Sequence, residues 1–317
     1  MDVEAANTPA AKPWVGQSIS RVEDPALLSG RGRFIDDIGV RPGTLHAAIL
    51  RSPHAHAKIV SMDIAVAKQA SGVVAVLTGE DIKALTASLV VGVKAPVECW
   101  PIAIDRVRYV GEPVAVVIAE SRYLAEDGVD LIDAQYEALP AVIDPMAAME
   151  AGAALLHDGF PKNVASDRCF RYGDPDQAFA LAQRTVEVSI RYPRNSCTPI
   201  ETYGIIAEYD PGEQAFDVLA NFQGPFSIHA VLSRALKVPG NRLRLRTPPD
   251  SGGSFGVKQG VFPYIVLIAA AARATGRPVK WIEDRLEHLT ASVSATNRAT
   301  TLRAVSWRCF MARISRR

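Results

Sequence analysis

The sequence has few cysteines and almost no excess of charge. Only four cysteines occur among the 317 residues, far apart and without a CxxC pair: Cys99, Cys169, Cys197 and Cys309. This spacing argues against a zinc or iron–sulfur site held by the chain, because such sites need closely spaced thiolates. The formal net charge of +1 gives no electrostatic basis for binding nucleic acid or an anionic membrane surface.

The sequence also lacks a secretion signal pattern and a long apolar run. Its first residues include Asp2 and Glu4 and do not follow the basic-then-apolar order of a signal peptide. The longest apolar run, at 261–274, is interrupted by Pro263 and Arg273 and is too short to cross a bilayer. With 48% hydrophobic and 22% charged residues, the composition is typical of a soluble globular protein, so we expect a cytoplasmic location and no transmembrane segment.

The pattern along the chain predicts two domains of the α+β class. A flexible tail at 1–16 precedes a compact α+β domain at 17–144, in which the continuous apolar run 114–118 is typical of a strand buried on both faces. Residues 145–183 have little periodicity and several glycines and prolines, which indicates a connecting segment. A second, mixed α/β domain is expected at 184–302.

The most distinctive feature is a glycine-rich turn at 248–260, PPDSGGSFGVKQG. An alternating strand at 242–246 precedes it, and an apolar helix at Phe262–Thr275 with a strand at 278–282 completes a βαβ unit. Glycines between strand and helix permit unusual φ values and close approach of the backbone to an anionic or oxygen-rich ligand. The spacing matches neither GxxxxGK[ST] nor GxGxxG, which disfavours a nucleotide- or pyrophosphate-binding domain.

Several short motifs occur in a fixed order over roughly residues 15–302. They are GRGRFIDD at 30–37, RSPHAHA at 51–57, VGEPVA at 110–115, FQGP at 222–225, GGSFGVK at 252–258 and GRPVKW at 276–281. Together they resemble the molybdopterin-binding large subunit of the xanthine dehydrogenase, aldehyde oxidase and aerobic carbon monoxide dehydrogenase family. The resemblance implies an α/β hammerhead domain followed by a mixed α/β first molybdopterin-binding domain, the latter incomplete.

The resemblance also implies a cofactor site. The cofactor would be molybdenum-molybdopterin, in the cytosine dinucleotide form found in bacterial-type members, with no direct metal ligand from this chain. The matching cofactor-binding positions are Gln223, Gly253, Ser254, Phe255 and Gly256. Gln223 would approach the metal's oxo ligand, and Ser254 replaces the third glycine of the family's common GGGFG. Gln259 lies on the substrate side, where xanthine-oxidising members have an acid, which argues against xanthine as substrate.

The implied function is that of a molybdenum hydroxylase that oxidises aldehydes, N-heterocycles or CO with water-derived oxygen. Electrons would pass to a 2Fe-2S small subunit and an FAD-binding medium subunit, in a dimer of heterotrimers. The family's second molybdopterin domain and C-terminal catalytic glutamate have no counterpart here. We therefore assign no catalytic residue and expect the general base beyond residue 317. The alternative is a non-catalytic fragment or an assembly module that keeps the family fold.

The C-terminal residues differ in composition from the rest of the chain. From Thr300 onward, TTLRAVSWRCFMARISRR contains no acidic residue, glycine or proline. It begins like a strand and then loses its pattern. We interpret 303–317 as an atypical basic tail, which is either native or the product of a frameshift.

Other polar residues have a structural and a functional interpretation. We favour a buried, hydrogen-bonded role for Glu201 over direct contact with a ligand, and a helix start or a salt-bridging cluster for 283–285 over a catalytic dyad. His54 and His56 share one face of an extended segment, but a metal site would need a third ligand.

Overall fold

The computed structural model describes residues 14–90, 97–292 and 298–306. Its strands are β1 (Leu45–Arg51), β2 (Ala57–Asp63), β3 (Val73–Thr78), β4 (Arg106–Val107), β5 (Pro113–Ala119), β6 (Asp133–Ala138), β7 (Arg184–Tyr192), β8 (Gly204–Asp210), β9 (Ala215–Ala220), β10 (Leu243–Arg246), β11 (Val279–Ile282) and β12 (Arg298–Ser306). Its helices are α1 (Asp24–Leu28), α2 (Ala65–Gln69), α3 (Gly79–Leu85), α4 (Arg122–Asp130), α5 (Pro175–Ala180), α6 (Pro225–Ala235), α7 (Phe262–Thr275) and α8 (Arg285–Ala291).

The largest sheet combines strands from both halves of the chain. Its order is β10-β9-β8-β11-β1-β5-β3. β1 pairs in parallel with β11, with Leu45 opposite Val279, and pairs antiparallel with β5 on its other side. The N–H of Leu45 donates to the carbonyl of Pro278 at 2.8 Å. The two halves therefore share one sheet and are joined by backbone hydrogen bonds.

The strand and helix of the N-terminal half follow from local sequence. All seven residues of β5 are buried, which confirms the predicted strand at 114–118. Helix α4 begins after Ser121, whose Oγ accepts a hydrogen bond from the N–H of Leu124 at 3.3 Å, as expected of an N-cap. The helix ends at Asp130, and the chain enters β6 at Asp133.

Helix α7 is the core helix of the C-terminal half and has the predicted bounds. Residues 264–272 are all buried, because the helix packs against strands β8 and β11 and against helices α6 and α3. Gly276 ends it with φ of 65°. Helix α7 connects β10 to β11. These two strands run parallel to each other, with β9 and β8 between them in the sheet, as expected of a βαβ unit.

The helical segment around α7 is longer than its apolar run indicated. With the 3-10 turn before it, the segment Val257–Thr275 has 19 residues and is long and apolar enough to cross a membrane. Its most apolar stretch is 67% buried within the protein. A helix that is apolar on all sides and enclosed by its own domain needs no bilayer to explain its composition.

Two smaller sheets complete the described structure. β4, β2 and β6 form one, next to a small core that contains Ala57, Val107 and Val114. β7 and β12 form the other, and every residue of β7 is exposed. The first residues of the predicted basic tail, 303–306, lie in β12, whereas 307–317 and residues 1–13 of the predicted N-terminal tail lie outside the described residues.

Candidate functional site

The glycine-rich turn connects β10 to α7 through an unusual backbone path. Gly253, Phe255 and Gly256 have φ values of 98°, 52° and 92°, and a 3-10 turn at Val257–Val261 then leads into the helix. Glycine adopts such φ values freely, whereas Phe255 does so at a cost of about 1 kcal/mol. The unusual φ values that the sequence analysis expected these glycines to permit are thus present.

Gly252 fixes the start of the turn by close packing. A Cβ at this position would overlap the Cβ of Glu201, and a Cβ at Gly253 would lie 3.2 Å from that of Pro199. The backbone of Gly252 also exchanges two hydrogen bonds with Glu201: its N–H donates to Oε2 at 2.9 Å, and its carbonyl accepts from the N–H of Glu201 at 3.3 Å. Only glycine allows this approach.

Glu201 is a largely buried acid whose carboxylate accepts hydrogen bonds from three donors. Besides Gly252, it accepts hydrogen bonds from the N–H of Ile35 at 3.1 Å and from the ammonium of Lys258. The side chains of Lys258 and Glu201 are 1% and 11% exposed. Burial lowers the pKa of Lys258, and the ion pair with Glu201 offsets part of that effect. The predicted hydrogen-bonded role of Glu201 is therefore confirmed.

Gln223 lies in the loop between β9 and α6, beside the turn. Its N–H donates to the carbonyl of Lys258 at 3.3 Å, and its side-chain Oε1 accepts from the hydroxyl of Ser254 at 2.6 Å. The next residue, Gly224, has φ of 70° and precedes the first turn of α6. The structure thus brings Gln223 against the turn residues that the sequence grouped with it.

The face formed by Gln223 and the turn offers several hydrogen-bond donors. Within the described chain, the amide N–H groups of Ser254, Phe255 and Gly256 have no acceptor. Successive free N–H groups in a turn with left-handed residues form a concave donor site for an anion or for oxo and sulfur acceptors. The ring of Phe255 is 73% exposed beside these donors. The residues present therefore fit a cofactor rich in acceptor atoms.

Gln259 lies on the 3-10 turn that follows these donors. Its N–H donates to the carbonyl of Gly256 at 3.2 Å, and the residue is exposed. It is thus adjacent in sequence and structure to the turn, but no described contact joins its side chain to Gln223.

Two residues that support the site received no role from the sequence. Lys258 is buried and forms an ion pair with Glu201. Tyr203 is also fully buried, and its hydroxyl donates a hydrogen bond to the carbonyl of Val257 at 2.8 Å. A lysine between two apolar valines, Val257 and Val261, was the available signal, because a lysine among buried neighbours requires an acidic partner.

The other polar candidates have structural roles. Asp284 and Glu287 form a capping box at the start of α8, which confirms the interpretation of 283–285 as a helix start. The carboxylate of Glu283 contacts Nδ1 of His288 at 2.7 Å, and both side chains are fully buried.

The two neighbouring histidines contact other residues of the N-terminal half. Nδ1 of His56 lies 2.9 Å from the carbonyl of Pro140, and the ring of His54 packs against Tyr136 at 5.1 Å between centroids. Among the residues that the structure describes, no group of three His, Cys, Asp or Glu side chains is placed to hold a metal ion.

Comparison with known proteins identifies both halves of the chain. Residues 29–140 match the family model of the aldehyde oxidase and xanthine dehydrogenase a/b hammerhead domain. Residues 156–305 match that of the molybdopterin cofactor-binding domain. The chain belongs to the aldehyde oxidase and xanthine dehydrogenase family. The predicted fold class, a hammerhead domain followed by a molybdopterin-binding domain, is confirmed.

Individual relatives agree with this family. The 6-hydroxypseudooxynicotine dehydrogenase complex subunit gamma of Paenarthrobacter nicotinovorans is 37% identical over 89% of this chain and 36% of its own length. The carbon monoxide dehydrogenase large chain of Hydrogenophaga pseudoflava is 34% identical over 86% of this chain and 35% of its own. The crystal structure of quinoline 2-oxidoreductase from Pseudomonas putida 86 superposes with a TM-score of 0.82 at 36% identity, over 92% of this chain and 37% of that one. The chain thus spans about a third of the length of these relatives.

Proposed function

We propose that this chain supplies one wall of the molybdenum-molybdopterin site of a molybdenum hydroxylase. The observation that carries the proposal is the contact between Gln223 and Ser254, which joins an amide side chain to a turn with free backbone donors. Gln223, Gly253, Ser254, Phe255 and Gly256 are the cofactor-binding residues.

Each part of this wall has a physical task. When bound, the cofactor supplies oxygen transfer to the substrate and accepts its electrons. The free N–H groups of Ser254, Phe255 and Gly256 donate to acceptor atoms without bringing side-chain bulk close to them. Gln223 presents an amide whose orientation is set because its Oε1 accepts from Ser254. Phe255, which is 73% exposed in this chain, would pack against the bound cofactor and shield that face from water.

The two acids next to the turn, Glu201 and Asp250, are already hydrogen-bonded within the protein. Glu201 accepts from three donors, and Asp250 accepts from the N–H of Arg33 at 2.6 Å. We therefore assign no catalytic residue in this chain and propose that the base comes from polypeptide outside it. The substrate-side residue of this chain is Gln259.

The assembly and substrate are proposed from the relatives. Their names include the subunit gamma of a dehydrogenase complex and a large chain of carbon monoxide dehydrogenase, which supports a role as the large subunit of a multi-subunit enzyme. The partners would be an FAD-binding medium subunit and a 2Fe-2S small subunit, in a dimer of heterotrimers. The substrate class is an aldehyde, an N-heterocycle or CO, the cofactor is in the cytosine dinucleotide form, and the enzyme is cytoplasmic.

For this function we propose the same domain boundaries that the sequence predicted. The hammerhead domain occupies 17–144, a connecting segment 145–183 and the first molybdopterin-binding domain 184–302. The seven-stranded sheet supports a rigid association of the two domains, because β1 of the first pairs with β11 of the second. Such an association would hold the wall of the site steady.

The function is tested by the cofactor content of the purified protein. The chain would be co-expressed with the polypeptides encoded next to it and assayed for molybdenum and pterin, and for dye-linked oxidation of candidate substrates. About one molybdenum and one pterin per chain is expected. Metal-free, stable protein that still binds its partner polypeptides would contradict the proposal and favour the assembly module.

A further inference from the structure

The turn is held at both ends by contacts that the cofactor site does not itself use. Lys258 donates its ammonium to Glu201, and its carbonyl accepts from the N–H of Gln223 at 3.3 Å. Glu201 in turn accepts from the N–H of Gly252 at 2.9 Å. One buried ion pair therefore connects the start of the turn, its end and the Gln223 loop.

The N-terminal motif GRGRFIDD contributes to the same clamp. The N–H of Arg33 donates to Asp250 Oδ2 at 2.6 Å, and the carbonyl of Arg33 accepts from the N–H of Asp250 at 3.3 Å. Two residues on, the N–H of Ile35 donates to Glu201 Oε1 at 3.1 Å. The start of the hammerhead half thus lies against the turn through backbone donors, which are unaffected by side-chain identity.

Because the Glu201–Lys258 pair is largely buried, each charge depends on its partner. Lys258 is 1% exposed and Glu201 is 11% exposed, so removal of either partner leaves a largely buried charge without its counter-ion. A second lysine pair offers a comparison: the Lys280 ammonium lies 2.8 Å from Asp36 Oδ1, and its side chain is 10% exposed, but Asp36 is 66% exposed. That pair makes no described contact with the turn.

We propose that the buried Glu201–Lys258 pair is a positioning device that sets the glycine-rich turn and Gln223 in register with each other before any cofactor binds. The proposal rests on the function proposed above, since the register matters for a ligand that contacts both segments. Glu201 and Lys258 act through Gly252 and Gln223 and do not themselves contact the cofactor.

The first test needs no cofactor. Hydrogen–deuterium exchange would be measured on the 317-residue chain and its variants, comparing peptides that cover 250–258 and 222–226 with a peptide that covers β5. Lys258→Met is expected to speed exchange of the hydrogen-bonded amides of Gly252 and Gln223 in the first two peptides about tenfold or more, because exchange follows the local opening equilibrium, and to leave β5 unchanged. Lys280→Met is the matched control and is expected to leave all three peptides unchanged.

Two further variants separate positioning from a general loss of structure. Glu201→Gln keeps an acceptor for the N–H of Gly252 but leaves the Lys258 ammonium without its counter-ion, so it should also speed exchange in the turn. The double variant should exchange more slowly in the turn than Lys258→Met alone, since no buried charge is left unpaired. If Lys258→Met also speeds exchange in the β5 peptide, the comparison of the turn with β5 is made in Glu201→Gln instead, and that comparison tests the proposal. Unchanged exchange in the turn of both single variants overturns the proposal.

The second test links register to the cofactor. Molybdenum and pterin would be measured per folded chain in the co-expressed complex. A wild-type complex without cofactor contradicts the proposed function, whatever the exchange data show. In another outcome the wild-type complex holds cofactor, and the Lys258→Met variant exchanges faster in the turn yet holds as much cofactor as wild type. That result overturns the positioning role but leaves the proposed function intact. The expected result is a loss of cofactor in Lys258→Met and full content in Lys280→Met.

Discussion

The hydroxyl of Ser254 donates to the side-chain Oε1 of Gln223 at 2.6 Å, across 31 positions of sequence. The contact exists because β9 and β10 are parallel neighbours in the sheet. Their carboxyl ends lie at the same edge, so the loop that contains Gln223 and the turn that contains Ser254 emerge side by side. This edge of an open sheet is where ligands of α/β proteins commonly bind.

Replacement of the serine tests the role of this contact. Ser254→Ala removes a partly exposed hydrogen bond that contributes about 1 kcal/mol or less, so the melting temperature should change by no more than about 2 °C. The Gln223 amide loses its fixed orientation, and molybdenum per chain in the co-expressed complex should fall. Ser227→Ala is the control, because that hydroxyl bonds to the Gly224 carbonyl at 2.8 Å and leaves Gln223 untouched. Equal cofactor content in both variants would contradict the assigned role.

Close packing at the start of the turn predicts a stability effect. Gly252→Ala places a Cβ against the backbone and Cβ of Glu201, so the turn must move or the fold must accept strain. We expect a loss of about 2 kcal/mol or more in the free energy of unfolding by urea. Gly39→Ala, where a Cβ meets no atom within 4 Å, should change it by less than about 0.5 kcal/mol. The account of the turn fails if the two variants are equally stable.

A buried acid outside the site predicts a pH dependence of stability. Burial raises the pKa of Glu112 to about 7 from 4.5, although its hydrogen bond from the N–H of Arg108 lowers it. Between these pH values the folded state binds the proton more tightly than the unfolded state. The stabilisation from binding this proton is thus complete below pH 4.5, where it amounts to roughly 3 kcal/mol. It is lost as the pH rises through 7.

The corresponding measurement compares two amide variants across pH. The stability of wild type relative to Glu112→Gln should fall as the pH rises from 5 to 8, since the amide keeps an acceptor and never ionises. Glu137→Gln replaces an exposed carboxylate and serves as control. A constant difference between wild type and Glu112→Gln over this range would show that Glu112 is not a buried ionising group.

Local sequence was sufficient to predict the elements around the site. The apolar run 114–118 predicted β5, and the pattern with Gly276 at its end predicted α7 to its last residue. These two predictions are correct because burial on all sides and helix capping each produce a recognisable pattern within a few neighbouring residues. The glycines of the turn likewise indicated that unusual φ values are permitted, since φ above zero is a local property.

The contacts that build the site are not local and were not predicted from periodicity. The pairing of Glu201 with Lys258 spans 57 positions, and that of β1 with β11 joins opposite halves of the chain. Such contacts depend on strand order, which hydrophobic patterns leave open. Only the resemblance of the motifs to a known family grouped Gln223 with the turn, and it assigned Lys258 no role.

The central claim is that Gln223 and the glycine-rich turn form one wall of a molybdopterin site. Its most direct test is the molybdenum and pterin content of the co-expressed complex with Gln223→Ala and Phe255→Ala. Gln69→Ala and Phe170→Ala are the controls, because Gln69 is exposed on α2 and Phe170 is 72% exposed in the connecting segment. We expect lower cofactor content in the first two variants and wild-type content in the controls. Full cofactor content and unchanged turnover in Gln223→Ala and Phe255→Ala would contradict the claim.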